Sequence, residues 1–408
     1  MKTKINTKTT DINKHKHKKP IKLRAQANGK RNITFKPETI CMAAITLSVL
    51  AVHITAWNST AFSDWYRLHI FPVITGVPSR ISNLFSGSVG EVLIVVGVLL
   101  VLFELLCLPL FILGRKHGKL RRLRAWNVRL VCWVLIYIYV TETLHCYVLY
   151  HASTLEEQAS FGKKRPVQEQ YGVQELIAAY TQVVTQANKL SGAVSRSADG
   201  AAVYDGSRQQ LYQACAKAMR AQGADYPYLA GYYPHPKPIR ASHFMSQQYL
   251  LGIYFPFTME ANYNAVMYPL NLPATICHEY SHLKGVILED EANFFGFAAC
   301  IESEDLYLQY AGYLSVLGYL SRQVRQSVPD EQRKALVKPN EQVLKDDVFL
   351  TQERWEQVEK KAVLSTETVN KATNVFLETN LTMNGVKDGI SSYSRVVRLV
   401  ILYYAKEL

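Results

Sequence analysis

"ICHEYSHLKGVILEDEANFFGF", Ile276 to Phe297, spells His-Glu-x-x-His and then a run of three acidic residues. How it is read decides how the chain behind Pro273 folds. On a helix, His278 and His282 are four residues apart, so both imidazoles leave from one face. That spacing suits one tetrahedral zinc held by neutral nitrogens at about 2.0–2.1 Å. Glu279 lies one step round the helix. It can serve as general base toward a water at an open fourth position without being a ligand. Pro273 and Thr275 suit a first helical turn, and Gly285 gives the chain a place to turn. The plain alternative is a surface helix whose two histidines face solvent.

Glu289, Asp290 and Glu291 are the candidates for a third ligand. Acidic residues also favour a first helical turn through the dipole, so their presence alone does not assign one. Glu289 and Asn293 share a face at i, i+4, which gives a ligand with a polar partner one turn on. Glu289 is therefore preferred, with Glu291 in reserve and Asn293 as the supporting residue.

Working outward, 408 residues suffice for a membrane part and one domain. Hydrophobic residues make up 49% and charged residues only 19%, which leans away from an ordinary soluble protein. The net charge is +13, but it is unevenly placed. Residues 1–150 hold 21 Lys and Arg against 6 Asp and Glu, whereas residues 151–408 hold 25 against 27. The second part is therefore not a basic nucleic-acid binder, and no nucleic-acid partner is expected.

Three apolar stretches organise the first part: Ile40–Trp57, Val92–Leu113 and Leu130–Tyr150. Each is long enough for a hydrocarbon core of roughly 30 Å at ~1.5 Å per residue. The first is not a signal peptide, because it lies behind a basic arm and is followed by further spans. The arm holds 12 Lys and Arg and the loop Arg115–Arg129 holds 7, against two between the first spans, Arg67 and Arg80. The positive-inside rule then makes the arm and the 115–129 loop cytoplasmic and residues 151–408 extracytoplasmic. The arm should contact anionic lipid. The domains read as a basic arm 1–39, a membrane domain 40–150 and an outer domain 151–408. Glu142 and His145 read as span-end groups reaching water. Seven cysteines form no disulfide framework, and any bridge among Cys215, Cys277 and Cys300 is undetermined.

The outer domain opens with a polar linker, "HASTLEEQASFGKKRP" (151–166), then helices near 173–190 and 208–222 around a Gly/Ser/Asp loop. Residues 225–240 are an extended, aromatic loop rich in Pro. Short strands are expected at about 251–255 and 260–265. From Pro273 onward the pattern is helical. It includes one long amphipathic helix over 340–363 and a buried terminal helix. The fold class is thus a mainly α membrane protein: three N-terminal transmembrane helices, then a mostly helical domain with a small β-sheet edge.

"GIYFPFTMEANYN", "LPATICHEYSHLKG" and "EDEANFFGFAAC" together resemble the bacterial membrane family catalogued as domain of unknown function 3810. The resemblance covers most of the chain and implies several N-terminal spans followed by a His-Glu-x-x-His domain in a bacterial membrane. Glu289-x-x-Ala292-Asn293 is also similar to the Glu-x-x-Ala-Asp element of membrane gluzincin peptidases, whose first Glu binds zinc. Asn293 stands where those enzymes carry Asp, and the gap from His282 to Glu289 is shorter than is usual there. The similarity implies a zincin-like domain with zinc on His278, His282 and Glu289. It also implies an edge strand that would hold the substrate backbone by β-addition. Glu260, Ala261, Asn262, Tyr263 and Asn264 are the candidates for it. Tyr393 and Arg395, in an element that resembles one near the family's C-terminus, are candidate oxyanion donors.

The expected activity is hydrolysis of an amide in a peptide or exported protein at the outer face of the membrane. Two alternatives stay open: a non-catalytic binding or sensor protein with a structural zinc, and a zinc amidase acting on cell-wall peptide.

Overall fold

The computed structural model describes residues 36–113, 118–158, 171–384 and 395–405. The chain divides into two units, Met1–Cys41 and Met42–Leu408. Of the first, only the start of helix α1 (Pro37–Asn58) falls among the described residues. The second unit joins the membrane helices and the outer domain, with no division near residue 150.

Among the described residues three helices are long and apolar enough to cross a membrane: Pro37–Asn58, Val89–Pro109 and Lys119–Tyr150. The second lies within α4 (Val89–Leu113). The third is α5 (Gly118–Glu142), continued by a π-turn at Thr143–Tyr147 and a last turn at Val148–Tyr150. The basic stretch 115–129 is therefore not a loop: it is helical from Gly118. Lys and Arg are good helix formers whose stems can lie along apolar surface, so a span can continue through them.

The segment between the first two spans also folds, as α2 (Thr60–His69) and α3 (Phe71–Ser82). Ser59 caps α2 by accepting from the Phe62 N–H. The start of the expected linker is fixed rather than loose. Ser153 donates from its N–H (2.8 Å) and its hydroxyl (2.5 Å) to Asp64, and Leu155 is fully buried. His145 is half-buried, and its Nδ1 lies 2.6 Å from the Pro256 carbonyl.

In the outer domain, α6 (Val173–Ser191) and α7 (Arg208–Ala221) stand where the periodicity put them, and Ser207 and Gln210 form a capping box on α7. The "extended" loop contains a strand that the prolines hid, β1 (Lys237–Ile239). After the short α8 (Ser242–Gln247) come β2 (Gly252–Phe255) and β3 (Glu260–Asn264). The sheet order is β1-β3-β2: β3 pairs parallel with β1 and antiparallel with β2, Gly252 opposite Tyr263 and Phe255 opposite Glu260.

Behind the sheet lie α9 (Leu272–His282), α10 (Glu289–Ile301) and α11 (Leu306–Ser327). Their buried Tyr280, Phe295, Phe297 and Tyr310 form the centre of the core. The long helix expected over 340–363 is instead broken. After α12 (Asp330–Ala335) come α13 (Glu341–Asp346) and α14 (Gln352–Lys361). Tertiary contacts override the periodicity there. The Phe349 carbonyl accepts from Tyr268 N–H, Val348 from Asn271, and Thr351 caps α14. α15 (Thr366–Met383) and the buried α16 (Val396–Ala405) complete the chain. Cys215, Cys277 and Cys300 are buried free thiols.

Candidate metal centre

The turn after α9 assembles the site. Leu283 N–H bonds to the Glu279 carbonyl, Gly285 N–H to His282, and Val286 N–H to Ser281. Gly285 has φ +84°, the left-handed conformation that ends helices and favours glycine. The chain therefore folds back, and α10 returns along α9. Gly296 permits the close approach: a Cβ there would lie 2.8 Å from the Ala274 carbonyl and 3.5 Å from His278 Cβ.

This packing brings the first residue of α10 to the histidine face. His278 Nε2 lies 3.0 Å from His282 Nε2 and 3.3 Å from a Glu289 oxygen, and His282 Nε2 lies 3.8 Å from the other. Donor atoms of the three side chains all fall within 4.8 Å of one another. Tetrahedral zinc with bonds of about 2.0–2.1 Å separates its ligand atoms by roughly 3.4 Å, so these spacings fit one small cation at a common point.

The surroundings favour a neutral donor at His282. His282 Nδ1 lies 2.7 Å from the Val286 carbonyl, so it carries the proton and leaves the Nε2 lone pair facing the cluster. Burial holds this imidazole down at about 4, against the opposing pull of Glu289. Burial would lower His278 as well. Its hydrogen bond to Glu289 and the charges of Glu289 and Glu279 outweigh that and leave it raised. The Asn293 side chain, expected to support Glu289, bonds His278.

Glu279 is buried beside the cluster, one oxygen 4.0 Å from His278 Nε2. Its Oε2 makes no hydrogen bond among the described residues. Burial raises its carboxyl to about 8, with His278 lowering it and Glu289 adding to the rise.

The three acidic residues point three ways. Glu289 meets the histidines. Asp290 takes Arg395 Nε at 3.0 Å. Glu291, the reserve ligand, turns away to accept the Leu155 N–H and is not among the converging donors. Burial raises Glu291 to about 8. Arg395 does fold back toward the start of α10, but as the partner of Asp290; Tyr393 lies outside the described residues.

The expected substrate strand is corrected. Glu260–Asn264 is β3, the central strand, paired on both sides and fully buried, so it offers no edge. Its first residue is structural: Glu260 pairs with Lys237 and accepts the Val89 and Gly90 N–H groups at the start of α4. Among the described residues β1 and β2 are the edge strands, and β2 is the one beside the cluster. A Cβ at Gly252 would fall 2.8 Å from Glu279 Cγ and Cδ, and the Tyr254 ring lies 5.8 Å from that of His282. Tyr319 of α11 is a further neighbour, its phenol raised by burial and by the Glu289 charge. Gly252, Tyr254 and Tyr319 escaped sequence reasoning, although "GIY" stood within a stretch already singled out.

The sequence profile of a family described as "Protein of unknown function (DUF3810)" matches residues 66–401. No curated protein and no solved structure matches the chain. The chain belongs to the DUF3810 family.

Proposed function

We propose that this DUF3810 chain is a membrane-anchored zinc metallopeptidase with a zincin-like domain, hydrolysing peptide bonds on the outer face of a bacterial cytoplasmic membrane. His278, His282 and Glu289 would hold the ion. Bound there, zinc supplies Lewis acidity, polarising a carbonyl and acidifying water. Glu279 takes a proton from the attacking water as its oxygen adds to the carbonyl carbon. It returns that proton to the nitrogen as the C–N bond breaks. Positive charge at the neighbouring site favours the ionised carboxylate this role needs. The edge strand β2 would align an extended substrate by backbone hydrogen bonds, with Gly252 letting that strand lie close to Glu279.

The observation that carries this reading is Glu279 itself. A buried carboxylate with an unpaired oxygen costs about 1–3 kcal/mol or more, and a purely structural zinc has no use for it. The deciding experiment compares zinc-loaded wild type with Glu279→Gln on a peptide library. Hydrolysis should fall at least ~1,000-fold in the variant while zinc content is unchanged. Equal turnover, or none in either protein, sinks the peptidase reading in favour of a structural zinc.

A further inference from the structure

Helix α3 is built inside out. Its inward face carries Phe71, Thr75, Ser79 and Ser82, all buried. Its outward face carries Val73, Val77 and Ile81 at i, i+4 and i+8, which are 70%, 63% and 55% exposed. A helix facing water would place the hydroxyls outside. Twelve residues cover about 18 Å, too short to cross a bilayer. An apolar outer stripe on a short helix between two spans fits burial in the leaflet on the domain's side.

The metal cluster is held against this element. At Gly285 a Cβ would meet Arg67 at 3.2 Å, Phe71 at 3.3 Å and Leu149 at 3.1 Å. Gly285 is three residues from His282, which is at most about 11 Å of chain. The edge strand β2 links the same two places. Gly252 lies over Glu279. At the other end, Phe255 packs on Gly90 in the first turn of α4, and the Pro256 and Phe257 carbonyls bond His145 and Tyr137 of the third span. Four residue steps of strand cover about 13 Å. A peptide laid along β2 thus runs from the cluster to the start of the hydrocarbon in that distance.

We infer that the substrate is a membrane-anchored polypeptide, cut within about five residues of the point where it leaves the bilayer. This rests on the peptidase reading and adds the tether. A freely diffusing peptide lacks the anchor that would hold it along β2, and a long spacer carries the scissile bond past the cluster.

The test uses full-length protein in vesicles of phosphatidylethanolamine and phosphatidylglycerol. The probe is a randomised eight-residue library attached to a single apolar helix by spacers of four or twenty residues, and the same library free in solution. Cleavage is read by mass spectrometry. Capture is read separately, from a photo-crosslinking residue at Ile253 in Glu279→Gln protein. The short-spacer library should be cleaved and captured at least 10-fold better than either of the others. Equal cleavage and capture of all three overturns the tether alone. Absence of cleavage in every format overturns the peptidase reading, and the inference with it.

Discussion

Glu291 shows how much a single side chain can decide. It sits two residues from Glu289, carries the same functional group and is buried, yet it serves the backbone of Leu155. Its folded-state carboxyl stands at about 8, raised chiefly by burial. A raised carboxyl holds its proton in the folded state where the unfolded chain releases it. The associated stability is therefore fully present below about pH 4.5 and is lost as pH rises toward 8. Glu291 should take a few kcal/mol from stability between pH 5 and 8, and Glu291→Gln should reduce the wild-type slope there by its share, as thermal unfolding in detergent would record. Gly252→Val should act differently. A side chain pressed onto Glu279 should cut hydrolysis at least ~10-fold while zinc content holds, read by turnover against metal analysis. The placement of His278, Glu279 and His282 on one helix was legible in the sequence because their spacing is local. The choice between Glu289 and Glu291 was legible only as a preference for Glu289. It depends on the angle at which α10 docks on α9, and no periodicity encodes that.

The element scale holds the devices that set this angle. Gly285 turns the chain and Gly296 lets two helices touch. Gly296→Ala would drive a methyl to 2.8 Å from a backbone carbonyl, which cannot swing aside as a side chain would. Such overpacking costs about 1–3 kcal/mol. It should lower the unfolding midpoint and weaken zinc binding at least ~10-fold, both measurable by titrating the apoprotein. The helices α6, α7, α9 and α10 were readable from apolar spacing and caps. Three features were not. Two strands were recognised near their true positions, but which one was central depended on β1, a three-residue strand inside a proline-rich loop. The break between α13 and α14 comes from carbonyls claimed by Tyr268 and Asn271, far away in sequence. Helix α3 reads as a loop if only charge is counted, because its meaning lies in which face is apolar.

For the whole molecule, spans and domain form one unit from Met42 onward. Contacts from Asp64, Glu260 and His145 tie the domain to the membrane helices, so the domain is not a freely tethered head. Three helices are long and apolar enough to cross a membrane among the described residues, and the proposed topology, a cytoplasmic arm with residues 151–408 outside, is the one the positive-inside rule favours. Protease added outside sealed cells or right-side-out vesicles should remove a C-terminal tag and spare an N-terminal one. Loss of the N-terminal tag alone would reverse the orientation. The central proposal is a single cation held between two helices, and the measurement that tests it most directly is the metal content of purified full-length protein. Wild type and Glu291→Gln should each carry about one zinc per chain, and His282→Ala and Glu289→Ala should carry almost none. A metal-free wild type, or zinc retained by Glu289→Ala and lost from Glu291→Gln, would contradict it.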